Sequence, residues 1–196
     1  QTCADTVLRE CGIEVTGHKE LIAGINHMAW LLTLEDLNGN DLYPEVRRIA
    51  AEKNLSPEGR RDMVRFDYIL RFGYYCTESS EHNAEYNPFY IKSNYPELIE
   101  KYHIPLDEYP RRCVNQIERW KAQKDEILNG GNIEHTRSIE YASHILEAII
   151  TNTPYRIGGN VINHGLISNL VKDACVEVPC LVDGTGISPI YVGALP

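Results

Sequence analysis

Two short stretches of this sequence gather side chains able to do acid–base or metal chemistry. The first is Gly24-Ile25-Asn26-His27, placed where a strand pattern ends and an apolar run is about to begin. A strand end aims a side chain rigidly, and neutral imidazole is the commonest protein metal ligand. Asn26 beside it could hydrogen-bond a hydroxyl-rich substrate. From spacing alone, a buried histidine satisfied by a backbone carbonyl is the weightier explanation. The second stretch is Thr77-Glu78-Ser79-Ser80-Glu81-His82, followed by Glu85-Tyr86. Carboxylates, a histidine and a tyrosine so close together combine acid, base and hydrogen-bonding capacity. Carboxylates suit pairs of sugar hydroxyls and aromatic rings suit sugar faces, but a solvated polar loop would have the same composition. Asn160, Asn163, His164 and Asn169, around Gly158-Gly159 and Gly165, could line a site and are equally ordinary turn chemistry. Arg111 and Arg112 fall on the outer side of a helical pattern and are assigned no role.

These side chains need a scaffold, and hydrophobic periodicity outlines one. Cys3, Val7, Leu8 and Cys11 recur at helical spacing until Gly12 ends the run. Residues 20–25 read as a short strand, residues 29–35 resume the apolar pattern, and Asn38-Gly39 marks a turn. A helix is expected over residues 43–53. Ser56-Pro57 reads as an N-cap with proline at the first position of another, which carries Met63, Phe66, Ile69 and Leu70 and stops near Gly73. Residues 74–94 are polar and aromatic without a clean period, so they read as a loop or a broken element, the kind of segment that often carries function. A long helix is expected over residues 105–128, with Cys113, Ile117, Trp120, Ile127 and Leu128 facing inward and Gly130-Gly131 closing it. A further helix is expected over residues 138–150. Residues 155–162, 175–182 and 187–192 look like strands, the last two joined through Asp183-Gly184-Thr185-Gly186. The sum is an α+β fold, helices packed on a small and mostly antiparallel sheet.

Bulk properties exclude several classes. A chain of 196 residues, 43% hydrophobic, can bury a real core without a disulfide framework. The formal charge of −9, with no basic stripe, argues against a nucleic-acid partner. Six cysteines match no CxxC zinc or redox spacing. Cys3, Cys11 and Cys113 fall on apolar helix faces, so reduced core thiols in a cytoplasmic protein are expected. No apolar run reaches membrane-spanning length and no signal peptide opens the chain, so no membrane partner is expected. Neither GxGxxG after a strand nor GxxxxGK[ST] occurs. The chain starts at Gln1 directly in a helical pattern and stops at Pro196 just after a strand, which suggests a piece of something longer.

Several of these segments resemble one known family. Ala23-Gly-Ile-Asn-His-Met-Ala-Trp30 resembles the "AGINH" segment of glycoside hydrolase family 4. Cys76-Thr-Glu-Ser-Ser-Glu-His82 with Ala84-Glu-Tyr86 looks like its α-galactosidase branch. So do Pro105-Leu-Asp-Glu-Tyr-Pro110, Gly159-Asn-Val161 with Asn163, and Cys175-Val-Glu-Val-Pro-Cys-Leu-Val-Asp183. The matches run in order through almost the whole chain and are specific as a set. The resemblance implies a C-terminal α+β domain, related in architecture to the C-terminal domains of lactate and malate dehydrogenases, beside a Rossmann-like NAD domain. It implies α-galactoside hydrolysis by oxidation at sugar C3, proton removal from C2, departure of the group at C1, addition of water and reduction. The paired-carboxylate route of most glycosidases is not used. NAD carries the hydride, and a divalent cation, typically manganese, acts as a Lewis acid at the C2 and C3 oxygens.

Carried over position by position, His27 matches the family's metal-binding histidine and Asn26 the asparagine beside it. Tyr86 is the candidate base at C2, since a nearby dication can bring a phenol down from its ordinary pKa near 10. His82 is the alternative base, and Glu81 is expected to contact substrate. The family's other metal ligand, a cysteine in a "GLCHSVQ"-like segment, would lie upstream of Gln1. Residues 1–196 are thus expected to be a truncated catalytic domain without its NAD-binding half, silent alone and homo-oligomeric when complete, with a small galactoside as partner. Other branches of the family act on α-glucosides, phosphorylated sugars or galacturonides, but no cationic group placed for a phosphate is identifiable. A non-catalytic carbohydrate-binding or assembly domain would also explain the polar-aromatic segment. The substrate domain of a 2-hydroxy-acid dehydrogenase ranks last, because no arginine clamp with a His–Asp pair is visible.

Overall fold

A tight hairpin and the strands flanking it form the spine of the molecule. The computed structural model describes residues 2–55, 61–130, 137, 138 and 140–196. In chain order the elements are α1 (Thr2–Cys11), β1 (His18–Ile25), β2 (Met28–Asp36), α2 (Tyr43–Leu55), α3 (Met63–Phe72), β3 (Tyr75–Cys76), α4 (Ser80–Tyr86), α5 (Glu97–Lys101), α6 (Glu108–Leu128), α7 (Ala142–Thr151), β4 (Tyr155–Ile162), β5 (Cys175–Asp183) and β6 (Gly186–Pro189). The strands make one sheet in the order β3-β2-β1-β5-β4, with β6 on β5. Every pairing between these strands is antiparallel. The fold is the expected α+β class.

β1 and β2 pair from His18↔Asp36 to Ile25↔Met28, which leaves Asn26-His27 as a two-residue turn. Gly24 makes this hairpin possible. Its φ is +151°, and a Cβ there would sit 2.7 Å from Ala29 Cα and 2.8 Å from Met28 O. Only glycine tolerates both the dihedral and the close backbone.

Two cores lie on opposite faces of the sheet. Ile22 and Leu31 belong to the first, while their neighbours Ala23 and Leu32 belong to the second. Adjacent strand residues point to opposite faces, so β1 and β2 each serve both cores. The first core joins Cys3, Ala4, Val7 and Leu8 of α1 to Val46 and Ala50 of α2 and to Phe66 and Ile69 of α3. Each large aliphatic side chain so buried contributes about 1.5–3 kcal/mol. The second packs Ala148 of α7 against Ile157, Val176, Val178, Cys180 and Val182. A third joins Met63, Val64 and Tyr68 to Cys76, Ala84, Tyr90, Tyr102 and Ile104. Inside it the buried Asp67 accepts from Tyr90 Oη (2.9 Å), Tyr102 Oη (3.3 Å) and Arg71 Nε (2.6 Å).

The structure departs from the sequence expectations in four places. α6 forms, but none of its residues is buried, so Cys113, Ile117, Trp120, Ile127 and Leu128 face outward, not inward. Periodicity identifies an apolar face; it does not supply something to cover it. Cys113 is accordingly exposed and is no core thiol. Residues 74–94 are the broken element of the two alternatives, since they hold β3 and α4. α7 starts at Ala142, and β6 stops at Pro189. Ser56-Pro57, Gly131 and Ile139 lie outside the described residues. Arg61 and Asp62 are not helical, Asp62 lying at φ 63°, so α3 starts at Met63 and the helix carrying Phe66 and Ile69 does not run from Ser56-Pro57. No helix among the described residues is long and apolar enough to cross a membrane.

Candidate active site

The hairpin turn and α4 meet because β3 carries the chain past the end of β2. Trp30↔Cys76 and Leu31↔Tyr75 pair β3 to β2, and Thr77 N–H donates to Ala29 O at 2.9 Å. Continuing that register by two residues brings Glu78 level with the β1–β2 turn. There Glu78 Oε2 meets His27 Nδ1 in a close hydrogen bond. Cys76 Sγ adds a weak donation to His27 O at 3.8 Å.

α4 then begins. Ser79 is its N-cap, with Oγ accepting from His82 N–H at 3.3 Å. Capping satisfies a first-turn amide and fixes the direction of a short helix. Residues 78, 82 and 86 follow at four-residue spacing, so they share one side. His82 Nδ1 lies 3.1 Å from Glu78 Oε1. The His82 and Tyr86 rings stack at 5.7 Å and 27°. The His27 and Tyr86 rings meet edge to face at 6.4 Å.

Three of the five residues singled out in the sequence are therefore together: His27, His82 and Tyr86. His27 is no buried histidine on a carbonyl, because its side chain is 56% exposed and its partner is a carboxylate. Asn26 sits beside it in the turn and is exposed. Glu81 is not in the group. It falls off the 78–82–86 side and lines a separate cavity of about 370 Å³ with Arg61, Asp62, Arg65 and His103. The carboxylate at the centre is Glu78, which the sequence offered only as one of several in the stretch.

Partial burial pushes the Glu78 carboxyl upward, but donation by His27, the Ser79 amide and His82 outweighs it, holding the carboxyl below its ordinary value. Glu177, opposite Gly24 in β5, behaves differently. Burial raises its pKa, and the nearby His27 only partly opposes this. Nothing in the sequence separated Glu177 from its neighbours. A concavity of about 980 Å³ is not centred on the cluster; it runs along β1, β4 and β5, with Glu20, Tyr141, Tyr155 and Glu177 on its lining.

In the asparagine-rich stretch Asn160 and His164 are exposed, while Asn163 and Asn169 hold local structure. Asn163 is fully buried. Its Oδ1 accepts from Ile167 N–H at 2.7 Å, and its Nδ2 donates to the carbonyls of Ile167, Leu170 and Val171. Asn169 exchanges two hydrogen bonds with the Leu195 backbone. Arg111 and Arg112 pair with Glu108 on exposed α6.

Could these residues hold a metal or a dinucleotide? With Nδ1 committed to Glu78, the His27 ring keeps Nε2 for a cation, the usual arrangement for a histidine ligand. Among the described residues no group of three or more His, Cys, Asp or Glu is spaced to hold an ion. The chain thus fits a cation as the donor of one nitrogen. For a dinucleotide it offers no glycine-rich phosphate loop, and no residue here is assigned to one.

Comparison with known proteins bears on the same residues. Residues 22–196 match the family 4 glycosyl hydrolase C-terminal domain. An α-galactosidase of Bacillus subtilis is 55% identical over 196 residues, all of this chain and 45% of that protein. The chain thus spans about half the length of the curated relatives it matches. A Bacillus subtilis crystal structure described as a glucosidase superposes with a TM-score of 0.78 at 23% identity, covering 100% of this chain and 47% of the other. A 6-phospho-α-glucosidase from gut microorganisms, solved in complex with NAD and Mn2+, superposes at 0.61 and 22% identity, covering 99% and 45%.

Proposed function

Because the chain belongs to family 4 of the glycosyl hydrolases, we propose that it is the C-terminal, substrate-handling part of an α-galactosidase and works beside an NAD-binding half. The observation that carries this reading is the exposed His27 at the hairpin tip, held by Glu78 and facing a stacked His82–Tyr86 pair. The full-span likeness to an α-galactosidase supports the substrate class. NAD and a divalent cation, manganese first, would supply hydride transfer and Lewis acidity.

This chain's own residues have separate tasks. His27 gives one nitrogen to the cation. Asn26, beside it on the tip, is placed to hydrogen-bond sugar hydroxyls. Tyr86 takes the proton from sugar C2, and His82, stacked on it, is the second candidate for that role. Glu81, lining another cavity, has no place in the cluster; the carboxylate that serves it is Glu78. We further infer a cytoplasmic enzyme, where its free cysteines stay reduced. A homo-oligomer or the NAD-binding half would cover the apolar side of α6. Without that half, residues 1–196 are catalytically silent, since one imidazole does not hold manganese usefully.

The test is an assay of the chain joined to its NAD-binding half, with NAD and Mn2+. Turnover of nitrophenyl α-galactoside and not of the nitrophenyl 6-phospho-α-glucoside is expected. Preference for the phosphorylated substrate would overturn the assignment. So would galactose binding to residues 1–196 without NAD or metal, which would mark a binding module.

A further inference from the structure

Glu78 is where the two imidazoles of the cluster meet. Its Oε2 takes His27 Nδ1, from a turn 51 residues earlier, and its Oε1 takes His82 Nδ1 at 3.1 Å and the Ser79 N–H at 2.7 Å. The Glu78 side chain is only 11% exposed, against 56% for His27 and 32% for His82. A held carboxylate therefore orients two freer rings. A carboxylate can only accept, so each Nδ1 bonded to it must carry the hydrogen. In a neutral imidazole the lone pair is then on Nε2.

We propose that Glu78 is a positioning residue that locks His27 and His82 together in the Nδ1–H tautomer, presenting the Nε2 lone pair of His27 as a cation ligand and that of His82 as a proton acceptor. The tautomer claim stands on the geometry alone; the roles of the two lone pairs rest on the functional reading above. A histidine ligand whose orienting partner is removed typically loses about 10–100-fold in metal affinity.

Two-bond 1H–15N spectra of histidine-labelled, metal-free protein read the tautomers directly. His27 and His82 are both expected as Nδ1–H, and either ring found mainly as Nε2–H overturns the proposal, with no variant needed. In Glu78→Gln the amide offers one acceptor and one donor, so one ring should reverse its tautomer or lose its partner. Two unchanged rings would count against the lock. Mn2+ titration of the complete enzyme, followed by electron paramagnetic resonance, then separates the two levels. Abolished binding in His27→Ala with about 10–100-fold weaker binding in Glu78→Gln supports both. Abolished binding in His27→Ala with unchanged affinity in Glu78→Gln removes the positioning role and leaves the functional reading standing. Unchanged affinity in His27→Ala removes the functional reading, and the tautomer spectra alone then decide the lock.

Discussion

Helix α4 has 7 residues and α6 has 21, yet the short helix is the anchored one. α4 buries Ser80, Asn83 and Ala84. Ser80 Oγ donates to Asp62 Oδ1 at 2.6 Å, Asn83 Nδ2 to Glu78 O at 2.9 Å, and Asn87 Nδ2 to Tyr68 Oη at 2.9 Å. α6 buries nothing. Its ion pairs, Glu108 with Arg111 and Arg112 and Glu118 with Lys121, run along its own surface. Such exposed helix pairs contribute about 0.3–0.5 kcal/mol each. Precise placement of side chains here comes from long-range anchors at the ends of a short element. A long amphipathic helix without them is only a surface.

That contrast sets an order of effects. Removing Tyr68, which is 1% exposed and packs on Trp30, Phe72 and Tyr90, should cost most. Tyr68→Ala is expected to lose about 3–5 kcal/mol in a urea titration and to loosen α4 through Asn87. Removing the α4 cap by Ser79→Ala should cost about 1 kcal/mol in the same titration. It should also move the His82 ring resonances, because the cap and the Glu78 contact hold the same turn.

Glu177→Gln sharpens the comparison from the other side, by removing a poorly compensated, half-buried charge. Burial raises the Glu177 pKa, so its contribution is fully favourable below the ordinary carboxylate range and is lost as pH rises through the raised value. The variant should melt about 1–2 °C higher at neutral pH, with the gap closing as pH falls below that range. Equal melting shifts at acid and neutral pH would contradict the sign. Ile117→Ser on α6 should change unfolding free energy by less than about 0.5 kcal/mol in residues 1–196. A loss matching Tyr68→Ala would break the contrast between the two helices.

Much of the scaffold was legible because it follows local rules. The strand pattern of residues 20–25 put Asn26-His27 at a strand end, and the Cys3–Val7–Leu8–Cys11 spacing announces the buried side of α1. The site was legible only in part. His27, His82 and Tyr86 stood out by residue type, but α4 is too short to show a period. Glu78 gains its place only through the pairing of β3 with β2, a contact no local pattern encodes. α6 failed in the opposite sense, since a clear apolar stripe said which side wants cover and nothing about what covers it.

The most direct measurement is a manganese anomalous difference map from crystals of the enzyme joined to its NAD-binding half. The account predicts a peak within coordination distance of His27 Nε2, with Nδ1 still on Glu78 and Tyr86 on the same side. A peak away from His27, or one bound through Nδ1 with Glu78 displaced, would contradict it.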